Sequence, residues 1–447
     1  MTKQMNVKRA LVVGLGATGL SCVRYLHARG YELSVVDSRA APPQLAALHQ
    51  EFPGIVCHTG GFDERLFKAA ELLVISPGVS LGEPAIAQAI ARGAAAVGDV
   101  ELFVRAARAP VLAVTGSNGK STVTSLAGAM CREAGLNTAV GGNIGVPVLD
   151  LLQEAPPDVY VLELSSFQLE TTDSLTPLAA TVLNISPDHM DRYRDLAAYA
   201  QAKARIFRGE GVMVLNADDP WVMRMADPGR KLVRFGLGAP LSENDYGLVM
   251  QGNEEWLAKG QRRLLPAGEV PLAGRHNLAN VLAAMALAEA AKAPFDAMKR
   301  AVANFKGLPH RTELVAERDG VRWINDSKGT NVGATLAALN GMTDPVVLIA
   351  GGDGKGADFS ALRNACAAHA RAVVLIGRDA PLIETALQNV VPVAQAADMT
   401  QAVRRARELA QPGDVVLLSP ACASFDMFRN FEQRGDVFRA AVKEVLA

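Results

Sequence analysis

Val111-Leu112-Ala113-Val114-Thr115-Gly116-Ser117-Asn118-Gly119-Lys120-Ser121-Thr122 decides how this chain is read. An apolar run of strand length enters a tight loop with two glycines and leaves through Lys-Ser-Thr into a helix. Such a loop turns backbone N–H groups into a concavity, and the helix N-terminus adds the positive end of its dipole. A lysine at that end is unfavourable unless an anion lies there. The stretch therefore predicts a nucleotide phosphate site at Gly116, Ser117, Asn118, Gly119, Lys120, Ser121 and Thr122. Lys120 supplies a mobile charge for the β- and γ-phosphates, and Ser121 or Thr122 a hydroxyl for Mg²⁺. The glycine usual five positions before Gly119 is replaced by Val114, so the loop is a shorter variant. The simpler alternative, a glycine-rich turn that binds nothing, leaves Lys120 unexplained.

Upstream, Ala10-Leu11-Val12-Val13 runs into Gly14-Leu15-Gly16-Ala17-Thr18-Gly19, then a helical pattern, then Leu33-Ser34-Val35-Val36 ending at Asp37. This is a βαβ unit with a G-x-G-x-x-G turn and an acidic residue at the fingerprint spacing. It predicts that a diphosphate approaches the glycines while Asp37 accepts hydrogen bonds from a nucleoside. NAD and a UDP-linked substrate both carry such a pyrophosphate, and the motif does not separate them. Leu72–Ile75 is a further strand, ending at Ser76-Pro77-Gly78.

Downstream, Val159–Leu162 leads to Glu163 at a strand's carboxyl end, where open α/β sheets bind ligands. Mg²⁺ takes oxygen ligands and shares them with nucleotide phosphates, so Glu163 is a candidate ligand. Ala180–Ile185 runs into Asp188-His189, expected near metal or substrate. Lys203 lies among alanines on a helix expected over Tyr199–Phe207, and reads by itself as a surface lysine with its stem along the helix. Asn277 and Asn280 share a helical face at i, i+3 spacing. They suit either a nucleotide or, for Asn277, a helix cap. Beyond Lys306-Gly307-Leu308-Pro309, apolar strands alternate with helical stretches, predicting another doubly wound α/β unit. Lys328, Lys355 and Arg378 follow its strands and, with Arg311 just ahead of the first, suggest a cleft for anionic groups. Boundaries near Gly98-Asp99 and Gly307 divide the chain into 1–99, 100–307 and 308–447.

The 447 residues carry 45 Lys and Arg against 46 Asp and Glu, which weighs against nucleic acid as a partner. The five cysteines follow no metal spacing and suit a reducing cytoplasm. No apolar run is long enough to span a bilayer, and no signal peptide is apparent.

Taken together, these motifs resemble the Mur ligase family over nearly the whole chain. The likeness rests on Gly116–Thr122, Glu163-Leu164-Ser165-Ser166-Phe167-Gln168, Asp188-His189-Met190-Asp191-Arg192-Tyr193 and His276-Asn277 through Asn280. It continues through Leu308-Pro309-His310-Arg311, Asn325-Asp326-Ser327-Lys328, and Ser419–Asp426 running into Phe431-Glu432-Gln433-Arg434-Gly435. That last block is most typical of the branch that adds D-glutamate. The resemblance implies an α/β fold of three domains: an N-terminal Rossmann-like UDP-binding domain, a central ATPase-like phosphate-loop domain and a C-terminal Rossmann-like domain. It implies a cytoplasmic, monomeric ligase of peptidoglycan precursor synthesis. Its substrates would be ATP, D-glutamate and UDP-N-acetylmuramoyl-L-alanine, with Mg²⁺ as cofactor.

By motif position the resemblance assigns the UDP substrate to Gly14, Gly16, Ala17, Thr18, Gly19, Asp37, Ser38, Gly78, Asn143, Ser165 and Gln168. ATP falls to the phosphate loop with Asn277, Asn280, Arg311, Asp326 and Lys328. D-Glutamate falls to Thr330, Lys355, Ser424, Phe425 and Phe431. Metal falls to Ser121, Glu163, His189 and Lys203, the last as a carbamate; Lys120, His189 and Lys203 are the expected catalytic set. Another Mur-type or folyl-polyglutamate-type amide ligase, and a dinucleotide-binding dehydrogenase or sensor fused to an ATP module, are the alternatives.

Overall fold

A computed structural model describes residues 9–152 and 154–447. The chain builds three sheets in succession, each from a contiguous stretch. In the first, β1 (Arg9–Val13), β2 (Glu32–Asp37), β3 (Val56–Thr59), β4 (Leu72–Ile75) and β5 (Ala95–Val97) stand in the order β3-β2-β1-β4-β5, all parallel. The order reverses between β1 and β4, so a crevice opens beyond the carboxyl ends of the strands there. Helix Ala17–His27 starts at that crevice, with Gly16 as its N-cap.

The second sheet holds β6 (Val111–Thr115), β7 (Thr138–Gly142), β8 (Val159–Glu163), β9 (Ala179–Val182), β10 (Val212–Asn216) and β11 (Leu232–Phe235), all parallel. A meander of β12 (Tyr246–Gln251), β13 (Glu254–Lys259) and β14 (Arg262–Pro266) extends its far edge. The order β14-β13-β12-β11-β10-β9-β6-β8-β7 puts β6 between β9 and β8, so the loop after β6 emerges at a switch point. Every residue of β6 and β8 is buried, as continuous apolar runs covered by helices on both faces require. One face is packed by helices Lys120–Glu133 and Arg275–Ala290; the latter is apolar nearly all round and contributes eleven buried residues.

The third sheet runs β15-β16-β20-β17-β18-β19 from β15 (Glu313–Arg318), β16 (Val321–Asn325), β17 (Val346–Gly351), β18 (Ala370–Ile376), β19 (Val393–Gln395) and β20 (Val415–Leu418). Only β15 is antiparallel to its neighbour. The third sheet is thus the doubly wound unit that the strand–helix alternation predicts. The short polar edge strands β3 and β19 and the half-exposed β15 escape sequence reading, because they lack the apolar runs of the central strands.

Helix Asp99–Val104 follows the first sheet, yet its Glu101 accepts hydrogen bonds from the backbone N–H groups of Asp173 and Ser174 at 2.7 and 2.9 Å.

Candidate active site

The phosphate loop is held from below by the exit of β9. Asn184 ties it with its side chain and backbone: its Oδ1 accepts from Asn118 N–H at 2.8 Å, its Nδ2 donates to the Asn118 carbonyl at 3.0 Å, and its carbonyl accepts from Ser117 N–H at 2.9 Å. Gly116 and Gly119 have φ of +148° and +85°. At Gly119 a Cβ would lie 2.6 Å from Asn280 Oδ1, so this glycine is required by conformation and by close approach together. Asn280 donates to Asn277 Oδ1 at 3.0 Å, and Asn277 donates to the Ala273 carbonyl at 2.7 Å. Both asparagines are therefore chained on one face beneath the loop. The N-cap of their helix is Gly274, which excludes the capping alternative for Asn277.

A cavity of about 520 Å³ opens above the loop. It gathers most of the loop, Glu163, His189 and Lys203, the Asn277–Asn280 pair, and from the C-terminal sheet Arg311, Asp326 and Lys328. Thr330, Lys355, Ser424, Phe425 and Phe431 line it too. The three sets that the resemblance assigns to phosphate, metal and amino acid thus face one space. At its centre Arg311 Nη2 donates to Ser121 Oγ at 2.6 Å, and Ser121 Oγ donates to Glu163 Oε2 at 2.6 Å. Asn143 Nδ2 donates to Glu163 Oε1 at 2.8 Å.

The cavity is rich in partly or fully buried basic groups. Lys120 Nζ donates to the carbonyls of Gly116 and Ser117, each at 2.9 Å, and burial pushes its ammonium below the usual lysine range. Lys203 is 1% exposed, not the surface lysine that its helix suggests. Its Nζ donates to the same Gly116 carbonyl at 2.9 Å and lies 4.5 Å from the Tyr199 ring centre. Burial, then the nearby Lys120 charge, drives its pKa well down. Lys328, stacked 4.0 Å over the Phe431 ring, is pushed down to about 8 by burial and by the Arg311 and Lys120 charges. Burial raises the Asp326 carboxyl to about 6, against the hydrogen bond that it accepts from Ser419 Oγ at 2.8 Å. Burial also lowers His189, opposed by Asp188. So many desolvated cations in one cavity are costly without an anionic guest.

Three of the eight described non-glycine residues with positive φ line the cavity. They are His189, Thr312 and Lys355, with φ of +58°, +46° and +51°. For β-branched Thr312 such a φ is a genuine outlier, which the fold must over-determine.

Ser121 and Glu163 offer hard oxygen donors beside the phosphate loop, the donor set Mg²⁺ takes when it shares phosphate oxygens. His189 and an unmodified Lys203 do not form such a set, since an ammonium repels a metal ion. Among the described residues no cluster of three or more His, Cys, Asp or Glu could hold a metal unaided.

The assignments to the UDP substrate divide. A Cβ on Gly16 would meet nothing within 4 Å, so the crevice stays open there, with Ala17 and Thr18 beside it. Gly14 and Gly19 serve packing: a Cβ on Gly19 would lie 2.0 Å from the Gly14 carbonyl oxygen. Ser38 and Gly78 follow β2 and β4, at the same crevice. Asp37 is 2% exposed and already occupied. It accepts from Leu15 N–H at 2.7 Å and from the Arg39 side chain at 2.6 and 2.8 Å, and these contacts hold its pKa down near 2. Asp37 therefore braces the glycine turn from within, rather than offering free oxygens to a nucleoside. Gln168 is likewise spent. It closes a capping box with Ser165 and donates to Asp99 Oδ2 at 3.1 Å, leaving Asn143 and Ser165 to line the cavity. Arg378 lies outside the cavity, paired with Asp353 and Asp379.

Sequence reading assigns no role to Asn184, Tyr199, His276, Thr312 or Asn331, which hold or line the site. Each is an ordinary residue of a loop or helix, and only the fold brings them in.

Comparison with known proteins agrees with this geometry. Residues 8–98 match the MurD-like N-terminal domain of Mur ligases, 114–288 the Mur ligase middle domain, and 310–422 the Mur ligase glutamate ligase domain. The chain is 57% identical over 440 residues to UDP-N-acetylmuramoylalanine–D-glutamate ligase of Nitrosococcus oceani, covering 98% of this chain and 97% of that protein. It is 51% identical to the protein of the same name from Pseudomonas aeruginosa, over 97% of this chain and 98% of that one. In fold it is similar to UDP-N-acetylmuramate-alanine ligase MurC from Thermotoga maritima, with a TM-score of 0.59 at 20% identity over 98% of this chain and 99% of that one. With relatives this close along its whole length, and all three domains matched in order, the chain belongs to the Mur ligase family.

Proposed function

We propose that this chain joins D-glutamate to UDP-N-acetylmuramoyl-L-alanine, using ATP and releasing ADP and phosphate. What carries the reading is the single cavity in which the phosphate loop, the Glu163–Ser121–Arg311 contact and the Lys328–Lys355–Ser424 wall converge. The names of relatives above 50% identity supply the substrates.

The L-alanyl carboxylate attacks the γ-phosphorus of ATP, the bond to ADP breaks, and an acyl phosphate forms. The D-glutamate nitrogen then attacks the acyl carbon, loses its proton, and phosphate leaves. Bringing a carboxylate to a triphosphate requires positive charge placed beforehand. Lys120 would leave its two loop carbonyls to meet the phosphates. Arg311 reaches the same place from the C-terminal sheet, and Asn277 and Asn280 support the loop from beneath. Mg²⁺, held by Ser121 and Glu163 with His189 toward a second ion, would supply further charge neutralisation. Burial drives the Lys203 amine toward its neutral form, and a neutral amine adds to carbon dioxide with loss of a proton to give the carbamate, an oxygen donor where the ammonium is none. Thr330, Lys355, Ser424, Phe425 and Phe431 form the D-glutamate wall, and Gly16, Ala17, Thr18, Ser38 and Gly78 border the UDP crevice.

We place the enzyme as a monomer in the cytoplasm, where its nucleotide substrates are made. No helix among the described residues is long and apolar enough to cross a membrane.

The test is phosphate release from ATP with UDP-N-acetylmuramoyl-L-alanine across a panel of D- and L-amino acids. Release that requires D-glutamate is expected. Release with another amino acid would move the acceptor assignment, and none with any would reopen the dinucleotide reading of the N-terminal crevice.

A further inference from the structure

Helix Val332–Asn340 belongs to the C-terminal sheet but lies against the central one, with Ala334, Ala337 and Ala338 facing the cavity. Its N-cap is Asn331, whose Oδ1 accepts from Ala334 N–H at 2.8 Å. The same carboxamide crosses between the domains. Its Nδ2 donates to Asn118 Oδ1 in the phosphate loop and to Asp188 Oδ2 beside His189, each at 3.2 Å. Its Oδ1 also accepts from Asn118 Nδ2 at 3.4 Å. Both hydrogens and both lone pairs of one buried amide are thus used, one acceptor site for the cap and the rest for the central domain.

The surroundings are shaped for this contact. A Cβ on Gly333 would lie 2.6 Å from Ser186 Oγ and 2.9 Å from Ser186 Cβ, so only a glycine lets the helix start so close to the loop. At the other end, a Cβ on Gly341 would lie 3.0 Å from His276 Nδ1 and 3.2 Å from Gly274 Cα. The helix therefore docks at both ends on elements that hold the nucleotide site.

We propose that Asn331 is a positioning residue for the ligase reaction proposed above. It ties the phosphate loop to the domain that presents D-glutamate, and so sets the distance between the acyl phosphate and the incoming amine. Aspartate cannot replace it, because a carboxylate would face Asp188 without a donor. Serine can replace it as a cap but brings only one short hydroxyl.

That difference makes the test. Asn331→Ser keeps an N-cap of equal rank, so a role in helix stability alone predicts an unchanged enzyme. Gly333→Ala strengthens the helix by propensity while pressing a methyl group on Ser186. We expect each variant of the full chain to lose about tenfold or more in kcat, the size of one interrupted pairwise coupling. Calorimetric ATP affinity should stay within about twofold, since neither residue is assigned to the nucleotide. Small-angle scattering of the ligand-free variants should show a larger radius of gyration than the parent.

A kcat equal to the parent's in either variant overturns the proposal. Should the parent itself lack ligase activity, the failure lies with the functional reading. Scattering then decides: unchanged profiles in both variants overturn the tie, and expansion supports it.

Discussion

Lys203 shows how far burial can change the meaning of a residue. On a helix of alanines it reads as a solvated lysine; in the fold it is enclosed, shares the Gly116 carbonyl with Lys120, and is driven toward its neutral form. Replacing it by alanine should lower ligase activity roughly a hundred- to thousandfold, the scale of losing one organised charge in an active site. Added formate or acetate should restore part of that loss if a carbamate oxygen is what has gone. Full activity in Lys203→Ala would return the residue to a structural role. His276 offers a separate test through pH. Burial lowers its pKa from 6.5 to about 4. Above pH 6.5 the ring is neutral in folded and unfolded chains alike, and its contribution to stability is fully present. As pH falls from 6.5 through 4, the unfolded chain takes the proton first, so stability is lost. Relative to His276→Gln, the parent should lose up to ~3 kcal/mol between pH 7 and pH 4, at ~1.4 kcal/mol for each tenfold difference in proton affinity between the two states. Parallel denaturation curves for the two proteins across that range would refute the assignment.

Among the elements, the glycine turn after β1 separates two functions that one motif combines. Gly19 admits no side chain against the Gly14 carbonyl, while Gly16 faces open space. Gly19→Ala should therefore destabilise the N-terminal domain by about 1–3 kcal/mol, as overpacking does. Gly16→Ala should leave the melting temperature in place and weaken binding of the UDP substrate. Thermal unfolding and calorimetry of the two variants would read the difference, and equal destabilisation would remove the distinction. The turn also shows what a pattern leaves out. The spacing places Asp37 at the turn, but not the Arg39 side chain and Leu15 N–H that already fill its oxygens. Similarly, Gln168 lies in a motif that points to substrate, yet its amide is consumed by Ser165 and Asp99.

At the scale of the molecule, the site exists only where the C-terminal sheet meets the central one. Arg311 and Ser121 lie 190 residues apart and 2.6 Å from each other. Arg311→Ala should reduce phosphate release roughly a hundredfold, while the isolated stability of either sheet domain stays nearly unchanged. Phosphate release at the parental rate would mean that Arg311 serves only to hold the domains together. Arg192 plays a comparable part on the other side, donating to the Val79 carbonyl at 3.0 Å and so linking the central domain to the loop after β4.

The central strands of the three sheets, the phosphate loop and the carboxylate at the end of β8 were legible in the residues alone. Each follows from local rules: apolar runs of strand length, glycines where φ is positive, and chemistry at the carboxyl ends of parallel strands. The neutral lean of Lys203, the closure of Asp37 and Gln168, the strain at Thr312 and the Asn331 tie were decided only by tertiary structure. Burial, hydrogen-bond saturation and contact across domains depend on what lies opposite a side chain, and sequence spacing carries no record of that.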